Sequence, residues 1–485
     1  MSSSGKSLAS GHGHLDYPLC VDLDGTFLST DSLHEALLHI LRHKPLQILS
    51  LLPALLRGKA AFKQAVTRMA GLDPALLPVN EPLAAYIRAQ RAAGREIALV
   101  SAADKHFVAE VAARHDMFDH AEGSDGSTNL AGAAKLKAIQ ARYGSDFVYA
   151  GDANVDLPIW KSARAAIVVG NDSRLARKVA SLTPIEVQFP NLGSYAKSWL
   201  QELRVHQWAK NALLFVPFVL AGPLATAQDF LQALLGFLIF GLFASSGYVV
   251  NDLLDLESDR RHRTKKDRPF AAGRLPISHG VVCVAGFLLL ACALCLLLPP
   301  AFFLAAIGYF AGTLFYSFVL KRIAVVDVIA LGGLFTVRIV AGALLLADPI
   351  SLWLLSFSMF IFSSLAIVKR YTELYEAQKA GLTELHGRGY VVAELPLLLA
   401  SGVASSVAAT VIFLIYLIDE RFPSGLYTHP NWLWLIFPLL LIWTMRVWRL
   451  TVLGRMNEDP VLFAIKDRFS LVLGVLVLLL IVLAR

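Results

Sequence analysis

The chain has 485 residues, more than one ordinary soluble core holds, so two or more domains are expected. Hydrophobic residues make up 56% of it and charged residues only 17%, against about 25% in soluble domains, so much of the chain is predicted to face lipid. The net charge of +7 does not favour a nucleic-acid partner, because the basic residues concentrate in short segments between apolar runs.

The first 200 residues mix charged and apolar residues as a soluble domain does. A polar tail at residues 1–16 is expected to be disordered, and residues 17–185 are expected to fold as an α/β domain. The run PLCV at residues 18–21 and apolar runs at 97–100, 147–150 and 166–169 alternate with helical stretches, a pattern that predicts a parallel sheet. Residues 32–95 read as helical throughout, so we interpret them as a cap inserted after the first strand.

Polar residues stand where the predicted strands and one helix begin or end. Asp22 and Asp24 follow the first strand in the stretch DLDGT, Ser101 ends the second, Lys135 opens a helix, and Asp152 and Asp156 follow a later strand. Open α/β sheets bind ligands at the carboxyl ends of their strands. Two carboxylates one residue apart suit a nucleophile and an acid–base group, with Mg²⁺ neutralising a phosphate.

This order of motifs resembles the haloacid dehalogenase (HAD) superfamily of phosphohydrolases. The resemblance implies that Asp22 forms an aspartyl-phosphate and that Asp24 protonates the leaving group and then activates water. Ser101 and Lys135 would hold the phosphoryl oxygens, with Lys137 as the alternative lysine. One Mg²⁺ would be bound by four carboxylates, those of Asp22, Asp24, Asp152 and Asp156.

The plainer alternatives for this part are a solvated acidic turn or a HAD module without activity. The presence of all four elements in order argues against both. A helical cap favours a small phosphorylated molecule or a lipid head group over a protein as the substrate.

Residues 186–203 are expected to form a linker whose stretch SYAKSWLQEL is amphipathic and suited to a bilayer surface. Residues 204–485 are expected to form an all-α membrane domain with about nine transmembrane helices. Spanning helices need about 20 residues, so the first and last apolar segments are short. The predicted segments lie near 211–224, 229–250, 279–298, 301–319, 325–345, 351–368, 393–417, 432–448 and 469–484.

The loops of this second part differ sharply in charge. Those on one side carry 18 Lys and Arg residues, whereas those on the other carry one, Arg421. The positive-inside rule assigns the basic side to the cytoplasm. We therefore expect a multi-pass protein of the cytoplasmic (inner) membrane whose N-terminal domain and active sites face the cytosol.

An acidic stretch follows the second apolar segment. On an ideal helix, Asn251, Asp255 and Asp259 recur every four residues and Asp252 lies three before Asp255, so the four side chains share one face. Carboxylates at the end of a membrane helix are costly unless they bind cations or line a cavity. Three carboxylates and an amide suit one or more Mg²⁺ ions with a diphosphate. A solvated helix end is the plainer alternative.

This motif, the following KKDRP and the nine-segment layout resemble the UbiA superfamily of intramembrane prenyltransferases. Most members have a second acidic motif of the form DxxxD. Here Asp327 is present, but Leu331 stands where its second aspartate would fall. The departure removes a second carboxylate cage for a prenyl diphosphate.

Further motifs resemble one branch of that superfamily, the decaprenyl-phosphate phosphoribosyltransferases. They are RVHQWAKN at 204–211, LKRIAVVD at 320–327, Arg338 within an apolar segment, VKRYTEL at 368–374 and EDPVLFAIKDR at 458–468. The branch implies phosphoribosyl pyrophosphate as donor, polyprenyl phosphate as acceptor, and Asp252 and Asp255 as catalytic residues. The expected substrate contacts are Lys210, Asn211, Asn251, Asp259, Lys265, Arg268, Tyr316, Lys321, Asp327, Arg338 and Lys369.

A donor and an acceptor that both carry phosphate need many cations, and Arg370 adds another. Several of these basic residues could equally be positive-inside anchors, although Arg338 lies too deep for that. The predicted enzyme is bifunctional: it transfers phosphoribose, and its HAD domain removes the 5-phosphate to give polyprenyl-phosphoryl ribose for cell-envelope glycans. The alternatives are transfer of a prenyl group from a prenyl diphosphate to an aromatic acceptor, and a lipid-binding or transport protein.

Overall fold

A computed structural model describes residues 17–190, 193–221, 226–346, 351–385, 388–425, 427–456 and 459–484. The tail expected at residues 1–16 lies outside these ranges. The chain forms two compact units: the described residues up to Glu202 together with Val249–Cys283, and Leu203–Tyr248 together with Val284–Arg485. The acidic segment at 251–259 therefore belongs to the same unit as the N-terminal α/β domain.

A six-stranded, fully parallel sheet forms the centre of the first unit, as predicted. The strands are β1 (Leu19–Val21), β2 (Ile97–Asp104), β3 (His120–Ser124), β4 (Val148–Gly151), β5 (Ala165–Val169) and β6 (Ile185–Phe189). Their order is β3-β2-β1-β4-β5-β6, and β1 at the centre pairs Cys20 with Ala98 on one side and Tyr149 on the other. The apolar runs predict β1, β2, β4 and β5 but not the two edge strands.

Residues 32–95, all of which the structure describes, form helices and no strand. The helices Ser32–His43 and Lys59–Ala70 and the 3₁₀ helix Pro45–Leu51 form a small apolar cluster of their own, and the short helix Leu52–Leu56 lies between them in the chain. The last helix, Glu81–Ala92, instead packs on the sheet through Leu83, Ala84 and Ile87. The predicted cap range thus includes one helix of the sheet layer.

The connections between strands β2 to β6 carry the remaining helices of the α/β domain, and a further helix follows β6. The Asp104 side chain caps the first of them by accepting from the His106 N–H at 3.1 Å, which begins a helix directly after β2. The stretch predicted to be amphipathic is a helix as well. The bounds are Lys105–His115, Ala133–Tyr143, Leu157–Ser162, Ser173–Ala180 and Tyr195–Leu203.

Seven helices of the described chain are long and apolar enough to cross a membrane, so this is an integral membrane protein. They are Ala227–Leu254, Ile277–Cys295, Pro300–Arg322, Val326–Ala343, Leu352–Lys379, Val392–Arg421 and Pro430–Val452. The predicted count of nine is not confirmed. The first predicted segment is a 3₁₀ helix, Val205–Phe215, followed by the short helix Val216–Ala221, and the last helix, Arg468–Ala484, has 17 residues.

Small and polar residues mark where helices of the second unit meet. A Cβ placed on Gly342 would lie 2.1 Å from the Leu214 carbonyl oxygen, and one on Gly402 would lie 2.0 Å from the Trp448 ring. The Trp448 indole donates to the hydroxyls of Ser364 and Ser406 at 3.1 and 2.9 Å. Close backbone approach and interhelical hydrogen bonds of this kind hold membrane helices together, since apolar surface alone does not distinguish a helix from lipid.

Candidate active sites

A charged cluster lies at the carboxyl ends of β1 and β4. Asp22 directly follows β1, Asp152 and Asp156 follow β4, and Lys135 comes from the helix Ala133–Tyr143. The Lys135 ammonium lies 2.7 Å from an Asp22 oxygen and 3.7 Å from an Asp156 oxygen. The structure thus brings together four of the residues that the sequence singled out for a phosphatase site.

Three of these side chains fit a divalent cation. Carboxylate oxygens of Asp22, Asp152 and Asp156 lie within 4.8 Å of one another, and Oδ2 of Asp156 is buried without a hydrogen-bond partner among the described residues. Burial, followed by the charges of Asp22 and Asp156, raises the pKa of Asp152 to about 7. Buried carboxylates that repel one another are stabilised by a shared cation, and Mg²⁺ prefers such oxygen ligands.

The backbone beside these acids leaves them room. A Cβ on Gly25, whose φ of +74° suits glycine, would lie 2.3 Å from Oδ2 of Asp152. A Cβ on Gly151 would lie 2.9 Å from Oδ2 of Asp156. Glycine at both positions therefore keeps space for the carboxylates.

Asp24 has a different environment from the other acids. Its Oδ1 accepts from the Ser32 N–H at 2.8 Å, and it is not a member of the group of three. Burial, followed by the negative charge of Asp31, raises the pKa of Asp24 to about 7. A carboxyl group with such a pKa holds a proton for part of the time near neutral pH, which suits its predicted acid–base role better than a ligand role for its side chain.

Ser101 and the two candidate lysines are also clearly placed. Ser101 is buried inside β2, which continues to Asp104, and its hydroxyl accepts from the Ala103 N–H at 3.1 Å. Lys135 is buried in the cluster, whereas Lys137 on the same helix is exposed. The structure therefore brings Lys135 rather than Lys137 to the acids.

Sequence reasoning missed two members of this network. The Tyr149 hydroxyl accepts from Lys135 at 3.0 Å and donates to Asp156 at 3.1 Å. The Thr26 hydroxyl donates to Asp152 at 3.2 Å. Tyr149 lies inside an apolar strand, where its sequence context indicates a core residue. Thr26 is the last residue of the DLDGT stretch, so the motif itself could have indicated it.

A cavity of about 410 Å³ opens beside the cluster. Asp22, Asp24, Ser101 and Lys135 line it, as expected of a substrate pocket. Part of its wall comes from residues 273–278, far along the chain but in the same compact unit.

The acidic segment at 251–259 is kinked. The helix Ala227–Leu254 ends just before Asp255, whose backbone (φ −97°, ψ 11°) departs from helical values, and a second helix, Leu256–Arg261, follows. Asp255 lies 2.9 Å from the Arg42 guanidinium. Asp255 therefore pairs with a different arginine from Asp252 and Asp259. The spacing on an ideal helix, which puts all three carboxylates on one face, does not predict this separation.

Asp252 and Asp259 share a cation. The Arg268 guanidinium lies 2.9 Å from Asp252 and 2.7 Å from Asp259, and both carboxylates are buried. Burial raises the pKa of Asp259, although Arg268 opposes that effect. Arg268 thus neutralises this buried pair, and among the described residues Asp252, Asp255 and Asp259 do not form a group of three close enough to hold one metal ion. Asn251 is half-buried beside Asp252, and Lys265 is exposed.

In the second unit, two predicted substrate residues form a buried polar group. Arg338 donates to Oδ1 of Asn211 at 3.1 Å and to the Tyr309 hydroxyl at 2.7 Å. The Asn211 amide nitrogen is buried without a partner among the described residues. Lys210 pairs with Asp459 at 2.5 Å.

A second buried group surrounds Asp327. Its carboxylate pairs with Arg370 and accepts from the Tyr390 hydroxyl at 2.6 Å. Arg370 also donates to the Tyr316 hydroxyl at 2.8 Å. Asp327 therefore has several protein partners, and its contact with substrate remains a prediction. Lys321 and Lys369 are half-buried.

The chain belongs to the UbiA prenyltransferase family, which it matches over residues 214–483, and its residues 19–161 match the haloacid dehalogenase-like hydrolases. It is a membrane transferase with an attached HAD-like hydrolase domain. Both family predictions from the sequence are confirmed.

Several relatives are similar over different parts of the chain. Protein y4nM of Sinorhizobium fredii is 41% identical over 465 residues, which are 95% of this chain and 89% of that protein. Nodulation protein NoeC of Azorhizobium caulinodans is 31% identical over 57% of this chain and 89% of its own length. Decaprenyl-phosphate phosphoribosyltransferase of Mycobacterium tuberculosis is 37% identical over 195 residues, which are 38% of this chain and 62% of that protein.

Among solved structures, a UbiA homolog from Archaeoglobus fulgidus bound to DMAPP and Mg²⁺ aligns with a TM-score of 0.45 and 21% identity. The alignment covers 59% of this chain and 96% of that protein.

Proposed function

We propose that this chain is a bifunctional membrane enzyme that builds polyprenyl-phosphoryl ribose in two steps. The membrane domain transfers phosphoribose from phosphoribosyl pyrophosphate to polyprenyl phosphate and releases pyrophosphate. The HAD domain then hydrolyses the 5-phosphate of the lipid-linked ribose.

One observation carries the proposal: a cluster fitted for phosphatase chemistry and a UbiA domain similar to phosphoribosyltransferases lie on the same chain. The mycobacterial relative named decaprenyl-phosphate phosphoribosyltransferase is 37% identical over 195 residues. A transferase of that kind leaves a phosphate on its product, so a phosphatase beside it has a substrate. Leu331, in place of a second motif aspartate, also favours a donor other than a prenyl diphosphate.

In the phosphatase site, Asp22 attacks phosphorus and Asp24 gives a proton to the departing ribose oxygen. The same carboxylate of Asp24 then takes a proton from the water that hydrolyses the aspartyl-phosphate. Lys135, 2.7 Å from Asp22, pairs with that carboxylate and orients it, and the Ser101 hydroxyl holds a phosphoryl oxygen. Mg²⁺ held by Asp22, Asp152 and Asp156 would neutralise phosphate charge.

In the transferase site, Asn251, Asp252, Asp255 and Asp259 are the proposed residues for the Mg²⁺–diphosphate of the donor. Asp252 and Asp259 lie close enough to share one guanidinium, that of Arg268, and this closeness supports a common cation site for these two of the four residues. Lys210, Lys265, Lys321, Arg338 and Lys369 are the proposed partners of the remaining phosphate oxygens. Departure of pyrophosphate leaves oxocarbenium character at the anomeric carbon, which the acceptor phosphate attacks.

We also propose that both sites face the cytosol from the inner membrane. The distribution of 18 basic residues against one among the predicted loops supports this orientation. A cysteine-accessibility scan, with single cysteines placed near Arg421 and near Arg388, tests it. Labelling of both positions from the same side would contradict the orientation.

The decisive experiment supplies membranes from expressing cells with ¹⁴C-phosphoribosyl pyrophosphate and polyprenyl phosphate. We expect label in the lipid extract, and its loss in Asp252→Ala. A parallel arm supplies a labelled prenyl diphosphate with 4-hydroxybenzoate, because membership of the UbiA prenyltransferase family makes prenyl transfer the second candidate. Label in the second arm alone would replace our proposal with that reaction. Label in neither arm, with lipid binding retained by Asp252→Ala, would favour the transport alternative.

A further inference from the structure

The wall of the phosphatase cavity contains a cation that belongs to no HAD motif. Arg274 lies on the segment 273–278 and lines the same cavity as Asp22 and Lys135. The segment belongs to the compact unit that contains the sheet, although it lies more than 80 residues beyond the last strand of that sheet, Ile185–Phe189. Arg274 has no part in the phosphatase steps described above.

Two close contacts hold this segment against the rest of the unit. Gly273 has a φ of +67°, and a Cβ there would lie 2.5 Å from the Ser29 carbonyl oxygen, so only glycine fits. Arg260, shortly before it, forms a two-pronged ion pair with Glu35 of the cap at 2.5 and 3.1 Å and donates to the Ala271 carbonyl at 2.9 Å. The segment is therefore a fixed part of the cavity wall.

The Arg274 guanidinium has spare capacity for an anion. It donates through one terminal nitrogen to the Asp267 carbonyl oxygen and to the Gln201 side chain, the latter at 3.3 Å. Its Nε is buried and has no hydrogen-bond partner among the described residues, and the Arg274 side chain forms no ion pair with a carboxylate of those residues. Arg274 is half-buried, and a guanidinium without a carboxylate partner suits a phosphate, whose oxygens match its fork of donors.

Two further cations of this wall, Lys63 and Lys135, have partners of their own. Lys63 of the cap donates to the Ala102 carbonyl oxygen at 2.9 Å, and Lys135 pairs with Asp22 and Asp156. Arg274 thus adds to this wall a donor group that no carboxylate of the described residues occupies. Its neighbours Pro276 and Ile277 add apolar surface to the same wall.

We propose that Arg274 forms a second phosphate subsite in the HAD cavity. It would bind the phosphate on the anomeric carbon of a substrate whose 5-phosphate is attacked by Asp22. The substrate class is a sugar with two phosphate groups, of which one is esterified to a lipid. The inference rests on the proposed function and deepens it by naming how the lipid-linked substrate is recognised.

Three substrates separate the possible sources of recognition. Ribose 5-phosphate has only the phosphate that is removed, ribose 1,5-bisphosphate adds the second phosphate without lipid, and farnesyl-phosphoryl ribose 5-phosphate adds both. Phosphate release is measured with the full chain in detergent micelles at several concentrations of each. For Arg274→Gln we expect kcat/KM to fall about 10- to 100-fold on the two diphosphorylated substrates, the loss of one charge-assisted hydrogen bond, with no change on ribose 5-phosphate.

Arg261→Gln is the matched control. This arginine lies 13 residues before Arg274 in the chain, but it is exposed and pairs with Glu257 at 2.7 Å. Arg274→Lys, which keeps the charge, should recover most of the lost activity. An equal loss on all three substrates would mean that Arg274 only supports the wall, and no loss on any would mean that it does not bind substrate. Either result overturns the subsite. If wild-type protein hydrolyses ribose 5-phosphate but not the farnesyl substrate, the proposed function fails as well.

Discussion

Lys135 is the residue whose contacts dominate the electrostatics of the phosphatase cluster. Burial lowers its pKa, but the carboxylates of Asp22 and Asp156 raise it more, so the net shift is upward and the ammonium stays charged. Through Tyr149 it is also joined to Asp156 by hydrogen bonds of 3.0 and 3.1 Å. Its charge therefore offsets the repulsion among the buried acids and presents a donor to a phosphoryl oxygen.

Replacing this lysine should lower phosphatase activity. We expect Lys135→Met to lower hydrolysis of p-nitrophenyl phosphate roughly 10²- to 10³-fold, the usual effect of removing one preorganised donor. Lys137→Met, which changes an exposed lysine of the same helix, is the matched control and should stay within about twofold. A larger loss in Lys137→Met than in Lys135→Met would show that Lys137, and not Lys135, contacts the phosphoryl group.

Asp24 gives a second test at the same scale. Asp24→Asn keeps the acceptor for the Ser32 N–H but cannot exchange a proton, so we expect turnover to fall about 10²- to 10⁴-fold. Asp146→Asn changes an exposed acid that pairs with Arg164 and serves as the control. Rapid-quench measurement of the aspartyl-phosphate separates the role of Asp24 as the acid for the leaving group from its role as the base for water. With a good leaving group such as p-nitrophenolate, the intermediate should accumulate, and unaltered steady-state turnover would refute the acid–base assignment.

Among the elements, the short helix Leu256–Arg261 is joined to the cap by an ion pair between Arg260 and Glu35. Arg260 and Glu35 are 9% and 4% exposed, whereas Arg261 and Glu257 on the same helix are 61% and 37% exposed. Breaking a buried pair leaves an uncompensated charge, which costs about 3–5 kcal/mol, whereas an exposed pair contributes about 0–1 kcal/mol.

The two arginines therefore make a matched pair of variants. We expect Arg260→Met to destabilise the first unit by about 3–5 kcal/mol and Arg261→Met by under about 1 kcal/mol. Pulse proteolysis in urea, with the full chain in mild detergent, measures both. Adding Glu35→Gln to Arg260→Met should restore part of the loss, since the unpaired charge disappears. Equal effects of the two single variants would show that the buried pair does not stabilise the unit.

The elements also show where sequence reasoning succeeds and where it stops. Strands β1, β2, β4 and β5 are apolar runs, and burial on both faces of a parallel sheet produces such runs. The edge strand His120–Ser124 has one fully buried residue, so its sequence, HAEGS, carries no apolar signal. The helical pattern of residues 32–95 was predicted, but not that Glu81–Ala92 packs on the sheet, because that depends on tertiary contacts.

The candidate sites divide in the same way. Asp22, Lys135, Asp152 and Asp156 stand at strand and helix ends, where topology alone predicts that they meet. The kink at Asp255 and the cation that Arg268 supplies to Asp252 depend on backbone geometry and a later loop, which spacing on an ideal helix does not contain. Arg274 looked like one of many positive-inside residues. Only the cavity distinguishes it.

At the scale of the whole molecule, the segment Val249–Cys283 contributes residues to both proposed active sites. It carries the carboxylates proposed to hold the donor diphosphate and, some 20 residues later, the wall of the phosphatase cavity. One chain that carries both sites raises the local concentration of the first product around the second site. The two activities should nevertheless be separable, because the catalytic acids of each site are different residues.

Two single variants in liposomes test this separation and the order of the steps. With labelled phosphoribosyl pyrophosphate, we expect wild-type protein to yield polyprenyl-phosphoryl ribose and Asp22→Asn to accumulate the 5-phosphorylated lipid. Asp252→Ala should yield neither lipid while still hydrolysing ribose 5-phosphate at the wild-type rate. Mixing the two variants in one liposome should restore the final product, but with a lag, because the intermediate must then diffuse between chains. Accumulation of the dephosphorylated lipid by Asp22→Asn alone would show that the HAD site does not perform the second step.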